Sequence, residues 1–384
     1  MNKLAISMAV LTAFSASASA SFDSRSVAMG GIGASTSTYL TAPFHNPALA
    51  AKYSSSDDIG ILLPAFGASV QDKGDLIDGF DAVSDSFDDL VQTDSDESGM
   101  AVASGLKDLV GDSASIQSGA GIALALPNKY VSVNVFAKAH LDAFVFSDVD
   151  ENELIGNNVN PEGLNSTGNV AGVAIIEVGA SLAKSMELGN GTFYYGMTPK
   201  VQHIELINYK SAVSDFNMDD FDEDENRESN TGFNVDLGAA YQFNNGIALG
   251  LVGTNLIATE FGNDTKYSLN PVFTASASYN AKLLTVGIDV DLNETERFES
   301  ISSTYTLING SDDNTQLAAI GAEFNAWDWA QIRAGYQMDI AGNLENSVTA
   351  GIGLSPFGAL RIDIAASYAG DNQAGVSLQT SLTF

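Results

Sequence analysis

Apolar and polar residues alternate along this chain in faces that stay unbroken for about ten residues at a time. Between 131 and 142, Val131, Val133, Val135, Ala137, Ala139 and Leu141 share one side, against Ser132, Asn134, Phe136, Lys138, His140 and Asp142 on the other. The pattern returns over 233–243 and 284–292, and again where Leu360, Ile362 and Ile364 oppose Arg361 and Asp363. A period of two marks strands whose faces meet different surroundings. A soluble sandwich buries the apolar face in protein, whereas a transmembrane barrel turns it to lipid and keeps the polar face in the lumen. About ten residues is what a tilted strand needs to cross a bilayer, and a lumen can hydrate or pair the inner charges. Length decides for the barrel.

Candidate strands fall near 59–69, 116–126, 129–145, 169–184, 191–210, 230–243, 246–254, 270–280, 281–291, 315–326, 329–338, 345–354, 357–369 and 373–384. These are fourteen, an even number, as single-chain bacterial barrels have. Short turns at Pro127-Asn128, Asn244-Asn245, Asn280-Ala281 and Ser355-Pro356 alternate with mostly longer connections at 70–115, 146–168, 211–229, 255–269 and 292–314. That asymmetry is expected of periplasmic turns and extracellular loops, and it puts both ends of the barrel on the periplasmic side. Tyr130, Phe193, Tyr194, Tyr241, Phe243, Tyr279, Trp327, Trp329 and Phe357 all sit beside short turns, as in an interfacial aromatic girdle. The expected fold class is all-β: a 14-stranded antiparallel outer-membrane barrel. The last strand ends in Phe384, which resembles the C-terminal signal read by the barrel assembly machinery.

Composition narrows the function. With 48 acidic residues against 16 basic ones, the formal net charge is −32, so a nucleic-acid partner is excluded. Zero cysteine removes disulfides, thiolate metal sites and thiol nucleophiles. Residues 1–20 carry Lys3, an apolar stretch from Leu4 to Phe14 and the small-residue site Ala18-Ser19-Ala20, the three parts of a secretory signal cleaved after Ala20. Location in the outer membrane of a Gram-negative bacterium is the expectation.

The acidic residues are concentrated in blocks. In 70–115, Leu76, Phe80, Val83, Phe87 and Leu90 recur at helical spacing, giving an amphipathic helix in an extracellular loop, placed over the barrel mouth or among the loops. The block from Asp219 to Glu228 is dense enough in carboxylates for loose divalent-ion bridging to lipopolysaccharide, but it lacks the spacing of a structured calcium loop. A solvated acidic face is the simpler reading of such runs.

Residues 21–55 are too irregular for a spanning strand and too rich in small residues for a helix. Gly30, Gly31 and Gly33 permit tight backbone packing, and Asn46-Pro47 marks a turn. Such a segment can thread into the lumen as a hatch, leaving 56–384 as the barrel. Arg25, then Met29-Gly30-Gly31, then His45-Asn46-Pro47-Ala48 resemble the start of FadL-type outer-membrane transporters. That resemblance implies a hatch inside a fourteen-stranded barrel and uptake of hydrophobic compounds such as long-chain fatty acids. Over nearly its full length the chain is more closely similar to the TraF-like family named for the plasmid conjugal transfer operon, above all in Tyr39 to Tyr53. The thioredoxin-like protein of the same name has another fold, and a chain without cysteine cannot carry its thiol chemistry.

FadL-type proteins open laterally at a kinked strand. In 191–210 the apolar side passes from Phe193, Tyr195 and Met197 to Ile204 and Leu206, so an inserted residue is expected, a bulge between Pro199 and His203. It is read either as a lateral opening or as a purely geometric bulge. No catalytic or metal constellation emerges: His45, His140 and His203 lie in different elements, and no glycine run has phosphate-loop spacing. His140 is expected to join Lys138 and Asp142 in a lumen network with the hatch. Asp236, Asp289, Arg333, Arg361 and Asp363 are expected to pair with one another or with the hatch. The expectation is a non-enzymatic channel or transporter for small hydrophobic molecules, without a cofactor, in contact with outer-membrane lipid and lipopolysaccharide. The alternative is a structural component of the envelope partnered with a conjugation apparatus.

Overall fold

A computed structural model of the chain describes residues 22–155, 159–216, 227–262, 266–295, 314–327, 329–370 and 373–384. The signal segment 1–20 and most of the acidic block, 219–226, lie outside the described residues.

Fourteen strands close into an antiparallel barrel. They are β1 (Gly60–Lys73), β2 (Ser113–Leu126), β3 (Ser132–Asp148), β4 (Thr167–Glu187), β5 (Gly191–Ala212), β6 (Arg227–Phe243), β7 (Ile247–Thr254), β10 (Val272–Asn280), β11 (Leu284–Asp291), β12 (Leu317–Trp327), β13 (Ala330–Asp339), β14 (Ser347–Leu354), β15 (Leu360–Gly370) and β16 (Gln373–Thr383). Each barrel strand pairs with the next, and β1 pairs with β16 to close the cylinder. A small hairpin, β8 (Thr259–Phe261) with β9 (Tyr267–Leu269), occupies the connection read from sequence as a loop.

Alternation in the sequence becomes inside and outside. Along β7, Ile247, Leu249 and Leu251 are 40–50% exposed, while Ala248 and Val252 between and beyond them are buried. Tyr130, Tyr279, Trp327, Trp329 and Phe357 stand exposed beside the short turns, as a girdle requires. Tyr194 is a correction: it points inward and packs with Leu49, Ala50 and Ala51 of the N-terminal segment.

Strands β3 to β6 run 17 to 22 residues, against eight in β7, β11 and β14. Beyond the lipid-facing band these long strands form a wall covered on both sides. Outside it lie two helices, α2 (Leu76–Thr93) and α3 (Asp96–Asp108). Leu76, Phe80, Val83 and Leu106 pack there against outward residues of β2 to β5, including Ala114, Val145, Val170 and Tyr209. The expected helix is therefore present, joined by a second, and it sheathes the outer wall instead of covering the mouth. Within the lumen, Phe261, Tyr267 and Leu269 of the hairpin pack on Val173, Ile175, Ile204 and Leu206.

This double burial explains Pro199. Pairing of β5 with β6 keeps one register from Gly191–Phe243 to Ile207–Arg227, through Pro199, and pairing with β4 keeps its register on both sides of the proline. The expected bulge between Pro199 and His203 is absent. The apolar side changes because the lumen itself becomes apolar at Ile204 and Leu206. A one-residue shift occurs in β1 instead, between Leu62 and Ala65 around Pro64, and it turns Leu63 and Pro64 outward together.

Candidate functional site

The N-terminal segment lies inside the cylinder, held by three sets of contacts. A short helix, α1 (Ser24–Ala28), is capped by Asp23, which accepts from the backbone N–H of Arg25 and Ser26. Arg25 reaches the wall, its Nε 2.9 Å from Glu323 Oε2. Glu323 also meets Arg333 at 2.7 Å; Arg333 binds Asp363 at 2.8 Å, and Arg361 binds Asp363 at 2.9 Å. Of the wall charges expected to pair with one another or with the hatch, Arg333, Arg361 and Asp363 pair here, and the hatch contributes one arginine to the cluster.

On the opposite side, Asn46 is fully buried and works twice. Its Oδ1 accepts from Ala48 N–H at 3.1 Å, capping the 3-10 turn Pro47–Ala51. Its Nδ2 donates to the carbonyls of Ala34 at 2.7 Å and of Ala239 on β6 at 3.2 Å. The wall yields space for this turn. Gly196 and Gly238 are cross-strand partners, and a Cβ on Gly238 would lie 2.0 Å from Asn46 Oδ1. One on Gly196 would lie 2.7 Å from the Pro47 carbonyl. A second glycine pair, Gly321 and Gly335, receives Met29 and Gly30, with Gly30 at φ +76°. Thr349 completes that seat, accepting from Gly30 N–H at 2.9 Å and donating to the Ala28 carbonyl.

The third anchor is Asp289. Its Oδ2 accepts from the backbone N–H of Gly33 at 2.8 Å and of Ala34 at 2.9 Å, while Ser276 Oγ donates to its other oxygen. Ser35 adds hydrogen bonds to Ser276 and Ser278. His45 packs over Gly33 and lies 2.9 Å from Asp23 through Nε2 and Oδ2, both side chains being buried. Burial alone would raise the Asp23 carboxyl; the hydrogen bond and charge of His45, then Arg25, outweigh it and hold the group below the ordinary aspartate range. Lys52, at the end of the hatch, is pushed down to about 8 by burial and by Arg25.

The hatch residues singled out in the sequence, Arg25, Met29, Gly30, Gly31, His45, Asn46, Pro47 and Ala48, thus converge on one body in the lumen. Pro199 and His203 lie elsewhere, on β5, where His203 Nδ1 is 2.8 Å from Thr231 Oγ1. The wall glycines, Glu323 and Thr349 escaped sequence reading. Their signal is weak: a glycine, hydroxyl or carboxylate at a lumen parity, which matters only once the hatch is known to touch it.

Between hatch and hairpin lies a cavity of about 160 Å³. Phe44, His45 and Pro47 line its hatch side, and Tyr267 to Asn270 its hairpin side. Its wall carries an ionic belt across β3 to β6: Lys138–Glu177 at 3.0 Å, Glu177–Lys200 at 3.3 Å and Lys200–Asp236 at 3.0 Å. His140 stands among these groups. A second cavity of about 90 Å³ lies toward β14 to β16, and Gln117 lines both. Among the described residues no cluster of histidine and carboxylate side chains is arranged to hold a metal ion.

A family model described as F plasmid transfer operon, TraF, protein matches residues 43–291. No curated protein matches the chain in sequence. Among solved structures, the toluene transporter TbuX of Ralstonia pickettii superposes with a TM-score of 0.54 at 13% identity, over 95% of this chain and 99% of its own. A FadL homologue of Pseudomonas aeruginosa gives 0.55 at 12%, over 97% and 99%. The toluene transporter TodX of Pseudomonas putida gives 0.52 at 12%, over 94% and 97%. At such identities the shared property is the fold.

Proposed function

The chain belongs to the family of F plasmid transfer operon TraF proteins, and from that premise we propose that it is an outer-membrane channel for small hydrophobic molecules. The observation that carries this reading is the stacking in one lumen of an apolar lining under the β8–β9 hairpin, a cavity, and a hatch. Toluene transporters share the barrel, which favours the same kind of cargo. A molecule would enter beside the hairpin, leave water against Tyr267 and Leu269, and pass into the cavity that they line. Exit would follow when the contacts of Asn46 and Asp289 release the hatch. Transport needs no reacting group, and the gradient supplies the drive.

Export would begin with cleavage after Ala20, and insertion would follow recognition of the strand ending in Phe384 by the barrel assembly machinery. Lipid would meet the outward band, and lipopolysaccharide the acidic loops. A structural role beside a conjugation apparatus is the less favoured reading, since it gives the stacked lumen no task.

Proteoliposomes containing the full chain should take up toluene faster than empty liposomes, and faster still when Asp289→Ala loosens the hatch. Uptake no faster than the lipid background for both proteins would overturn the proposal.

A further inference from the structure

The charges and amides around the two cavities repel a fatty-acid anion and hold a bare hydrocarbon less well than a ring that carries a hydroxyl. Among the described lining residues of the larger cavity, two lysines face five carboxylates, and both lysines are already engaged by Glu177 or Asp236. An entering carboxylate would meet an excess of negative charge with little solvent to screen it. A hydrocarbon meets a different obstacle. Gln117 is 8% exposed, lines both cavities, and its Nε2 has no hydrogen-bond partner among the described residues. A buried amide left in that state is costly, and an apolar ligand would not relieve it.

The smaller cavity continues the theme. Among the described residues that line it there is no charged side chain; Ser69, Gln71, Ser347, Thr349 and Gln373 provide hydroxyls and amides. Gln373 is also 8% exposed, and its Oε1 has no hydrogen-bond partner among the described residues. The route past the hatch thus offers a free donor at Gln117 and a free acceptor at Gln373, both uncharged.

We infer that the two cavities joined at Gln117 form a binding site for a neutral single-ring molecule bearing a hydroxyl, of the phenol class. The inference rests on the channel reading and names its cargo. Size agrees, because a cavity of about 150 Å³ suffices for a benzene ring. The hydroxyl accepts from Gln117 and, one step further, donates to Gln373, so it loses little when it leaves water. The ring remains between Phe44 on the hatch and Tyr267 on the hairpin, both of which line the larger cavity.

Titration calorimetry of the full-length protein in detergent, with phenol, toluene, benzoate and benzylamine as probes, tests this. Phenol is expected to bind about tenfold more tightly than toluene, the factor one well-made hydrogen bond to a buried amide supplies, and more tightly than either charged ring. Gln117→Leu should bring the phenol-to-toluene ratio close to one. Gln379→Leu, at a buried amide that lines neither cavity, should leave the preference in place and shows that a folded variant can keep it. Toluene binding as tightly as phenol, either charged ring binding more tightly than phenol, or a ratio unchanged by Gln117→Leu would overturn the inference while leaving the channel intact. Binding of none of the four would overturn the channel reading with it.

Discussion

Asp289→Ala should open the hatch without opening the barrel. The carboxylate holds Gly33 and Ala34 through two backbone N–H donors at 2.8 and 2.9 Å, in a site where Asp289 is 8% exposed. Hydrogen bonds to a charged group are worth roughly 1.5–3 kcal/mol each. Losing both removes about 3 kcal/mol at the low end of that range, and the low end applies because Ser35 keeps its bonds to Ser276 and Ser278. That energy corresponds to roughly a hundredfold rise in the open fraction of the 33–37 segment. The chain has no cysteine, so Ser37→Cys supplies a unique probe at a buried position whose own hydroxyl has no hydrogen-bond partner among the described residues. Maleimide labelling in proteoliposomes, slow in the Ser37→Cys parent, should accelerate by about two powers of ten in the double variant. Asp289→Asn keeps a neutral acceptor and should give about a tenfold rise. Heat-modifiability on gels reports the barrel and should hardly move. Labelling within threefold of the parent, with the barrel folded, would refute the assignment of Asp289 as a hatch anchor.

Acid should loosen the same body from its other side. Asp23 has its folded pKa depressed, so its stabilising contribution is present above the unfolded value and disappears as pH falls through the folded one. Pepsin cleavage within 22–51 should therefore rise as pH is lowered from about 4.5 to about 2, and Asp23→Ala should flatten that dependence. Gly238→Ala drives a Cβ to 2.0 Å from Asn46 Oδ1, so it should cost about 1–3 kcal/mol and speed Ser37→Cys labelling, whereas Gly232→Ala, with nothing within 4 Å, should do neither. Glu177→Gln leaves Lys138 without its carboxylate and Lys200 with Asp236 alone, and the unfolding temperature should fall by an amount consistent with about 3 kcal/mol.

The barrel was legible because a strand with lipid on one side and polar lumen on the other writes its geometry at every second residue. β11 is short and turns Leu284 and Ile288 outward against buried Asp289, so its alternation reads cleanly. The long wall defeated that rule. Around Val170 to Val173 helices cover one side and the hairpin covers the other, so apolar residues crowd both faces and the period fades. The same lining made Ile204 and Leu206 mimic a bulge at Pro199. The true shift at Pro64 was hidden because Leu62, Leu63, Ala65 and Phe66 include no polar residue to mark a change of side. Helix α3 buries Gly99, Val102, Ala103 and Leu106, mostly small residues, which leaves a faint amphipathic signal.

Within the hatch, Asn46-Pro47 announces its own turn because cap and turn are neighbours in sequence. What holds the turn is not local. Ala239 lies 193 residues from Asn46, and Asp289 lies 256 from Gly33. Lumen parity identifies Asp289 as an inward charge, but only the closed cylinder brings it under the hatch backbone.

Orientation of side chains about the cylinder wall is the claim beneath all others, and β7 allows it to be measured residue by residue. Single cysteines at Ile247, Ala248, Leu249, Leu251 and Val252, labelled with bimane in proteoliposomes, would be quenched by brominated lipids. Strong quenching is expected at 247, 249 and 251, and weak quenching at 248 and 252. Quenching that fails to alternate, or that is strong at 248 and 252, would contradict a barrel with its apolar face in the bilayer.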